Sequence, residues 1–325
     1  MLNFVASVCV LSARKFSQVR TVARKVNGDF RHYVCLSALP IIHFRINQNF
    51  GNMRTHEQVV SQVKHWTLWW VKERRGKLEK QLTDTMAVNP FSMPFFFAYH
   101  GLASFEELAD LILASHLLGG HNTGFGKLID EKILPNVFGT YKLSKGYREA
   151  YPVLLEACFD EIDHIVPRAD GTKEFMSLKS SKWTIQLTMA TQINASFNEI
   201  ITKHSDIVSK IVVGVIYGKG DGLTDKYEIV RGINRGANHN VIDLTHCVEV
   251  HSGREFWKWL NDGEVDTQEW VLEGIIAGVD ESGIKQVSKQ LLQNFKSEFV
   301  RKNEKDVKDE NGNFDWYKLL KRVNG

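Results

Sequence analysis

Between Asp160 and Trp183 the chain reads DEIDHIVPRADGTKEFMSLKSSKW, and this stretch limits the possible folds more than any other. It predicts an acidic strand, a turn at Arg168-Ala-Asp-Gly171 and a second strand that ends on a lysine. Asp163 and Lys179 are separated by 15 residues, a spacing that suits the two legs of a hairpin. Side chains alternate along a strand, so Phe175, Ser177 and Lys179 share one face. A helical pattern over Thr188–Lys203 follows the hairpin. Then comes Ile211-Val-Val-Gly-Val-Ile-Tyr217, an unbroken apolar run of the kind found in strands buried on both faces. An earlier helix, a hairpin, a second helix and a buried strand in that order predict an α/β core.

A carboxylate and a lysine brought side by side have a definite chemical use. A phosphodiester anion repels hydroxide, so its hydrolysis needs charge neutralisation at phosphorus and an activated water. A hard cation such as magnesium is held by one or two carboxylates while keeping several waters. It neutralises the transition state and assists deprotonation of a bound water, and a neighbouring lysine stabilises the developing hydroxide. Asp163 and Lys179 suit those two roles. The bland alternative is a solvated cross-strand pair. The position two residues before Lys179 is Ser177, so a second acid must come from elsewhere. Glu199 on the following helix is the first choice. Glu161 precedes Asp163 by two residues on the same strand face. Glu131 on the earlier helix and Glu174, which has the wrong parity unless a bulge intervenes, are further options.

Charge gives no shortcut to a nucleic-acid partner. The whole chain carries 41 Lys and Arg against 38 Asp and Glu, a formal net charge of +3. Its first 52 residues hold seven of the basic residues and one acid, Asp29. Residues 53–325 therefore carry 34 against 37, and any DNA affinity must come from local clusters. Residues 1–52 read as an extension upstream of a true start at Met53. The four cysteines (Cys9, Cys35, Cys158 and Cys247) are scattered without a CxxC pair, which indicates neither a zinc site nor a disulfide framework. With no apolar run long enough to span a bilayer, a cytoplasmic location is the simplest expectation.

Residues 53–120 read as a helical region. Val59, Val63, Trp66, Trp69 and Trp70 recur at helical spacing, as a core or dimer face would. Ser104 is a plausible cap where a helix restarts. Residues 121–250 read as the α/β core, and 251–325 as a second helical region. Arg231-Gly-Ile-Asn-Arg235-Gly-Ala-Asn-His-Asn240 follows an expected strand at Tyr227–Ile233. It concentrates the side chains best shaped to grip guanine and adenine edges. Arg231, Arg235, Asn238, His239 and Asn240 are thus candidate DNA contacts, with Lys182 a candidate phosphate contact. A turn whose Asn and Gly satisfy backbone geometry is the competing reading.

Several long segments carry a resemblance. They are NPFSMPFFFAYH (89–100), TGFGKLIDEKILPNVFG (123–139), FDEIDHIV (159–166), LKSSKWTIQLTMA (178–190), IVVGVIYG (211–218), LTDKYEIVRGINRGANHNVID (223–243) and REFWKWLNDGE (254–264). From about Met53 onward the chain resembles type II restriction endonucleases of the PD-(D/E)XK superfamily, and more narrowly those that cut purine-GG-N-CC-pyrimidine sites. The resemblance implies a restriction-endonuclease-like core, a mixed sheet flanked by helices, with additional N- and C-terminal helical regions. It implies Mg2+-dependent hydrolysis of double-stranded DNA leaving 5′-phosphate ends. Asp163 would bind the metal, with Glu199 or Glu161 as the further ligand, and Lys179 would stand near the nucleophilic water. Ser177 stands where the superfamily pattern places an acid. A nearly palindromic target implies a homodimer, built through the N-terminal helices or the tail from Thr267. A cognate DNA methyltransferase is expected in the same system without direct binding. Two alternatives stay open: a catalytically inactive sequence-specific DNA-binding protein, and a structure-specific repair nuclease on the same fold.

Overall fold

Val59, Val63, Thr67 and Val71 recur every fourth residue and are all buried, forming the inner stripe of a long helix, α1 (His56–Gln81). Asn89-Pro90 and Met93-Pro94 delay the next helix, α2, to Met93–His100. Ser104 then caps α3 (Phe105–Leu128), accepting from the Glu107 backbone N–H at 3.2 Å as its sequence context predicts. α3 passes through a π-type turn (Ile129–Ile133) into the short α4 (Leu134–Val137). The computed structural model describes residues 53–81, 89–180, 185–234 and 236–325, all within one compact unit, Gln48–Gly325. Residues 1–52, Lys182 and Arg235 lie outside the described residues.

The sheet comes next. β1 (Tyr141–Lys142) is followed by α5 (Lys145–Ala150), two 3-10 turns (Pro152–Leu155 and Ala157–Glu161), β2 (His164–Pro167) and β3 (Lys173–Lys179). α6 (Leu187–Lys203) crosses over to β4 (Lys210–Val215), and α7 (Lys226–Val230) precedes β5 (Val248–Ser252). The strands lie in the order β1-β2-β3-β4-β5. β1, β2 and β3 pair antiparallel, whereas β3, β4 and β5 pair parallel. β4 is thus interior to a mixed sheet, which is why its sequence is apolar throughout. Val166 and Met176 on one face pack against α1, α4 and the Phe256–Trp257 pair. Phe175 on the other face meets Phe159, whose 3-10 turn lies against α6.

The segment Tyr227–Ile233 departs from expectation: it forms α7, not a strand. Ile229 N–H donates to the Asp225 carbonyl at 3.1 Å, and Tyr227, Ile229 and Val230 are all buried. A strand would send Ile229 and Val230 to opposite faces, and both edges of β4 are already filled by β3 and β5.

The C-terminal region is helical: α8 (Arg254–Leu260), α9 (Thr267–Glu281), α10 (Ile284–Asn303) and α11 (Trp316–Asn324). It shares its core with the N-terminal helices. Phe105 of α3 stacks on Phe299 of α10 at 5.6 Å, and α1 lies along α9. That second contact depends on two glycines. A Cβ on Gly274 would stand 2.7 Å from Val63 Cβ, and one on Gly278 would stand 2.6 Å from Thr67 Cβ and 2.9 Å from the Lys64 carbonyl oxygen. Gly278→Val should therefore force α1 and α9 apart and cost about 2–3 kcal/mol. A urea titration showing an unchanged midpoint would contradict this close packing.

Candidate functional site

The hairpin register pairs His164 with Met176 and Ile165 with Phe175, which sets Asp163 opposite Ser177. The Asp163 backbone is held on two sides. Its N–H donates to the Met176 carbonyl at 2.8 Å, and its carbonyl accepts from Leu143 N–H at 2.8 Å. Its side chain closes the end of the ladder, with Oδ2 accepting from Leu178 N–H at 2.6 Å. One residue farther along β3, Lys179 places Nζ 3.6 Å from Glu161 Oε2. Three sequence candidates, Asp163, Lys179 and Glu161, thus meet at one end of the hairpin. Glu161 arrives at the end of a 3-10 turn and not along the extended strand expected for it.

Burial pushes the Asp163 carboxyl above its ordinary pKa. The Leu178 hydrogen bond and the Lys179 and His164 charges oppose that rise without cancelling it, and the Asp130 charge adds to it. The sign of the stability effect follows. With its folded pKa above its unfolded one, Asp163 disfavours the native state at neutral pH, and that handicap disappears as pH falls through the folded pKa. Asp163→Asn keeps an acceptor for Leu178 N–H and should melt higher than the parent at pH 7. The difference should close as the solution is acidified. An Asn variant that melts lower at neutral pH would contradict this account.

Asp130 is the residue that sequence reasoning missed. It lies in the π-type turn beside the option considered there, Glu131, which faces solvent. Asp130 Oδ1 accepts from Nε2 of the fully buried His164 at 2.8 Å, and Oδ2 accepts from Lys142 Nζ. His164 Nδ1 lies 2.9 Å from Thr140 Oγ1. Burial pushes the Asp130 carboxyl upward, but the His164 and Lys142 hydrogen bonds overcome it and hold the pKa below the ordinary value. The inserted residue of a π-type turn shifts the helical phase, so simple periodicity could not have chosen between Asp130 and Glu131.

The other acids lie elsewhere. Glu199 pairs with Lys203 at 2.5 Å, and its charge acts on Cys158; the charges acting most strongly on Asp163 are those of Lys179, His164 and Asp130. Glu174 is at the turn end of the hairpin, where Oε2 accepts from Arg168 Nη2 at 2.6 Å and Trp259 Nε1 at 2.9 Å. Ser177 is fully buried, and its Oγ has no hydrogen-bond partner among the described residues.

The expected DNA-reading segment forms a loop held by its own amides. Asn234 Oδ1 accepts from His239 N–H at 2.8 Å, and Asn238 Oδ1 from Asn240 N–H at 2.9 Å. Arg231 is turned inward, donating from Nε to the Val248 carbonyl at 3.2 Å. Asn238 and Asn240 are exposed and His239 is half-buried. Buried Asn194 of α6 pins both ends of the loop. Its Nδ2 donates to the Val230 and Ile242 carbonyls at 3.1 and 2.9 Å, and its Oδ1 accepts from Ile242 N–H at 2.9 Å.

Among the described residues one cluster brings three potential ligands together, and a pair of carboxylates near Lys179 suits a hard cation by donor type. Asp163 and Glu161 offer the hard carboxylate oxygens that suit magnesium, beside the orphaned Ser177 hydroxyl. Glu156, Cys158 and His204 form the cluster of three, with softer donors. No family model matches the chain, and no curated protein is significantly similar to it. Among the described residues, no helix is long and apolar enough to cross a membrane.

Proposed function

We propose that this chain is a magnesium-dependent nuclease that hydrolyses double-stranded DNA, a type II restriction endonuclease of the PD-(D/E)XK kind. The observation that carries the reading is the meeting of Asp163, Glu161 and Lys179 at one end of the β2–β3 hairpin. The order helix, three antiparallel strands, crossover helix, parallel strand supports it.

Asp163 and Glu161 would hold the metal. Bound magnesium would neutralise the scissile phosphate and acidify a bound water. Asp163 contributes a carboxylate fixed by Leu178 N–H, so little reorganisation is needed when a cation arrives. Lys179 contributes a positive charge that favours hydroxide at the attacking position. Asp130 keeps His164 and Lys142 oriented behind the site. In-line attack by that water would leave a 5′-phosphate and a 3′-hydroxyl, in keeping with the resemblance to enzymes that cut RGGNCCY-like sites. The exposed amides at Asn238 and Asn240, with His239, are the candidate base-reading side chains.

A two-fold target calls for a homodimer. Phe91, Phe95 and Tyr99, at four-residue spacing on and just before α2, are 69, 65 and 87 % exposed, an apolar strip that suits such a contact. A second reading, a catalytically inactive sequence-specific DNA-binding protein, is favoured by one observation, the buried Ser177 in place of an acid.

The test is incubation of the protein with unmethylated phage DNA, with magnesium and with chelator. Discrete, magnesium-dependent fragments mapping to one sequence are expected. Intact DNA despite specific gel shifts would replace the nuclease reading with the inactive one, and unspecific or structure-dependent nicking would favour a repair nuclease.

A further inference from the structure

Sequence spacing gave no sign of a zinc site because its residues come from distant parts of the chain. Glu156 joins the two 3-10 turns, Cys158 lies inside the second, and His204 follows the last residue of α6. Folding brings one ligand atom from each to within 4.8 Å of the others. We propose that Glu156, Cys158 and His204 bind a zinc ion that clasps the segment leading to Asp163 onto the end of α6.

Geometry supports the assignment. Glu156 Oε2 and His204 Nε2 stand 3.1 Å apart. In a tetrahedral site with N and O ligands about 2.0–2.1 Å from zinc, the edge between two such ligands is roughly 3.3 Å. The carriers are well fixed. His204 N–H donates to the Ile200 carbonyl at 2.8 Å, and its ring tilts against Phe159 at 5.1 Å. Cys158 is buried whereas Glu156 is exposed, so the cluster opens to solvent on one side. Three protein ligands with an open fourth position for water is a common zinc arrangement.

Charge and softness choose the ion. On binding, the Cys158 thiol releases its proton to solvent and forms a sulfur–metal bond. A carboxylate, a thiolate and a neutral imidazole then balance a divalent cation. Thiolate and imidazole donors favour zinc over magnesium, so this cluster and the Asp163 site would not compete for one ion. The neighbouring Lys203 ammonium is neutralised by Glu199 at 2.5 Å, which removes a charge that would repel a cation. That gives Glu199 a supporting place beside this cluster. The proposal does not depend on the nuclease reading.

The test loads the full chain with zinc, desalts it and measures metal content. One zinc per chain is expected. Cobalt in its place should give the near-ultraviolet band of a thiolate-bound ion. Asp163→Ala should keep both signals, and Cys158→Ser should lose the cobalt band. Glu156→Gln alters an exposed side chain and should leave the fold intact. It should weaken zinc binding by more than about 100-fold, beyond what loss of an outer partner does. Zinc lost from the parent on desalting, a parent without the thiolate band, or retention unchanged in Glu156→Gln would each overturn the site.

Discussion

On the proposed nuclease reading, alanine in place of Lys179 should reduce DNA cleavage by about 10²–10⁴-fold, the range over which a positioned proton-transfer or charge-stabilising side chain acts. Asp163→Ala should reduce it at least as far. The two losses have different origins. Lys179→Ala removes the positive charge near the attacking water and frees Glu161, its partner at 3.6 Å. Asp163→Ala removes the fixed carboxylate and leaves Leu178 N–H without its acceptor. Magnesium should therefore stabilise the parent and Lys179→Ala against melting, by about 2.7 kcal/mol when its concentration is 100 times Kd. Asp163→Ala should show no such gain. Specific DNA binding should survive in both. Single-turnover cleavage by either variant at the parent's rate would remove Asp163 and Lys179 from the chemistry.

Arg148→Ala should be the most damaging single change to stability near the site. The guanidinium gathers four carbonyl groups: Leu143 at 3.0 Å, Leu154 at 2.8 Å, Phe159 at 3.0 Å and Ile162 at 2.7 Å. These span the whole irregular segment between β1 and β2, including the residue before Asp163. Each hydrogen bond from a charged donor is worth about 1.5–3 kcal/mol. Four bonds to one group do not add fully, so a loss of about 4 kcal/mol is expected. Lysine cannot reproduce the planar fork and should recover only part of it. The check is the unfolding midpoint in urea. A shift for Arg148→Ala no larger than that of an ordinary surface substitution would show that the segment is held some other way.

Much of this was legible in the sequence where one regular pattern ruled. Alternation fixed the hairpin and put Ser177 and Lys179 on one face. Helical spacing of apolar residues marked α1 and α6, and an unbroken apolar run marked β4. Reading failed where local conformation changed within a few residues. The acidic stretch before Asp163 is a 3-10 turn, so strand parity was the wrong rule for Glu161. Tyr227–Val230 is apolar enough for either a strand or a helix, and the burial of both Ile229 and Val230 against α6 is what a helix provides. Glu174 is close enough in sequence to offer a ligand, but Arg168 and Trp259, the latter 85 residues away, hold its carboxylate at the turn end of the hairpin. Asp130 and the Glu156–Cys158–His204 cluster depend on pairings 34 and 48 residues apart that no spacing rule reports.

Asn194 has a consequence for how this chain can change. By tying Val230 and Ile242 to one buried amide, it closes the intervening loop at its base. No described residue from Arg231 to Val241 is buried. Outside Gly232 and Gly236, both at positive φ and the first with a Cβ position 1.8 Å from the Ile242 carbonyl oxygen, and outside Arg231, Asn234 and Asn238, whose side chains hold the loop, substitutions in that span should disturb folding little. The exposed positions of the loop thus sit on a base that one buried amide holds closed. Their composition can drift toward a different surface chemistry while the sheet beneath them keeps the same geometry.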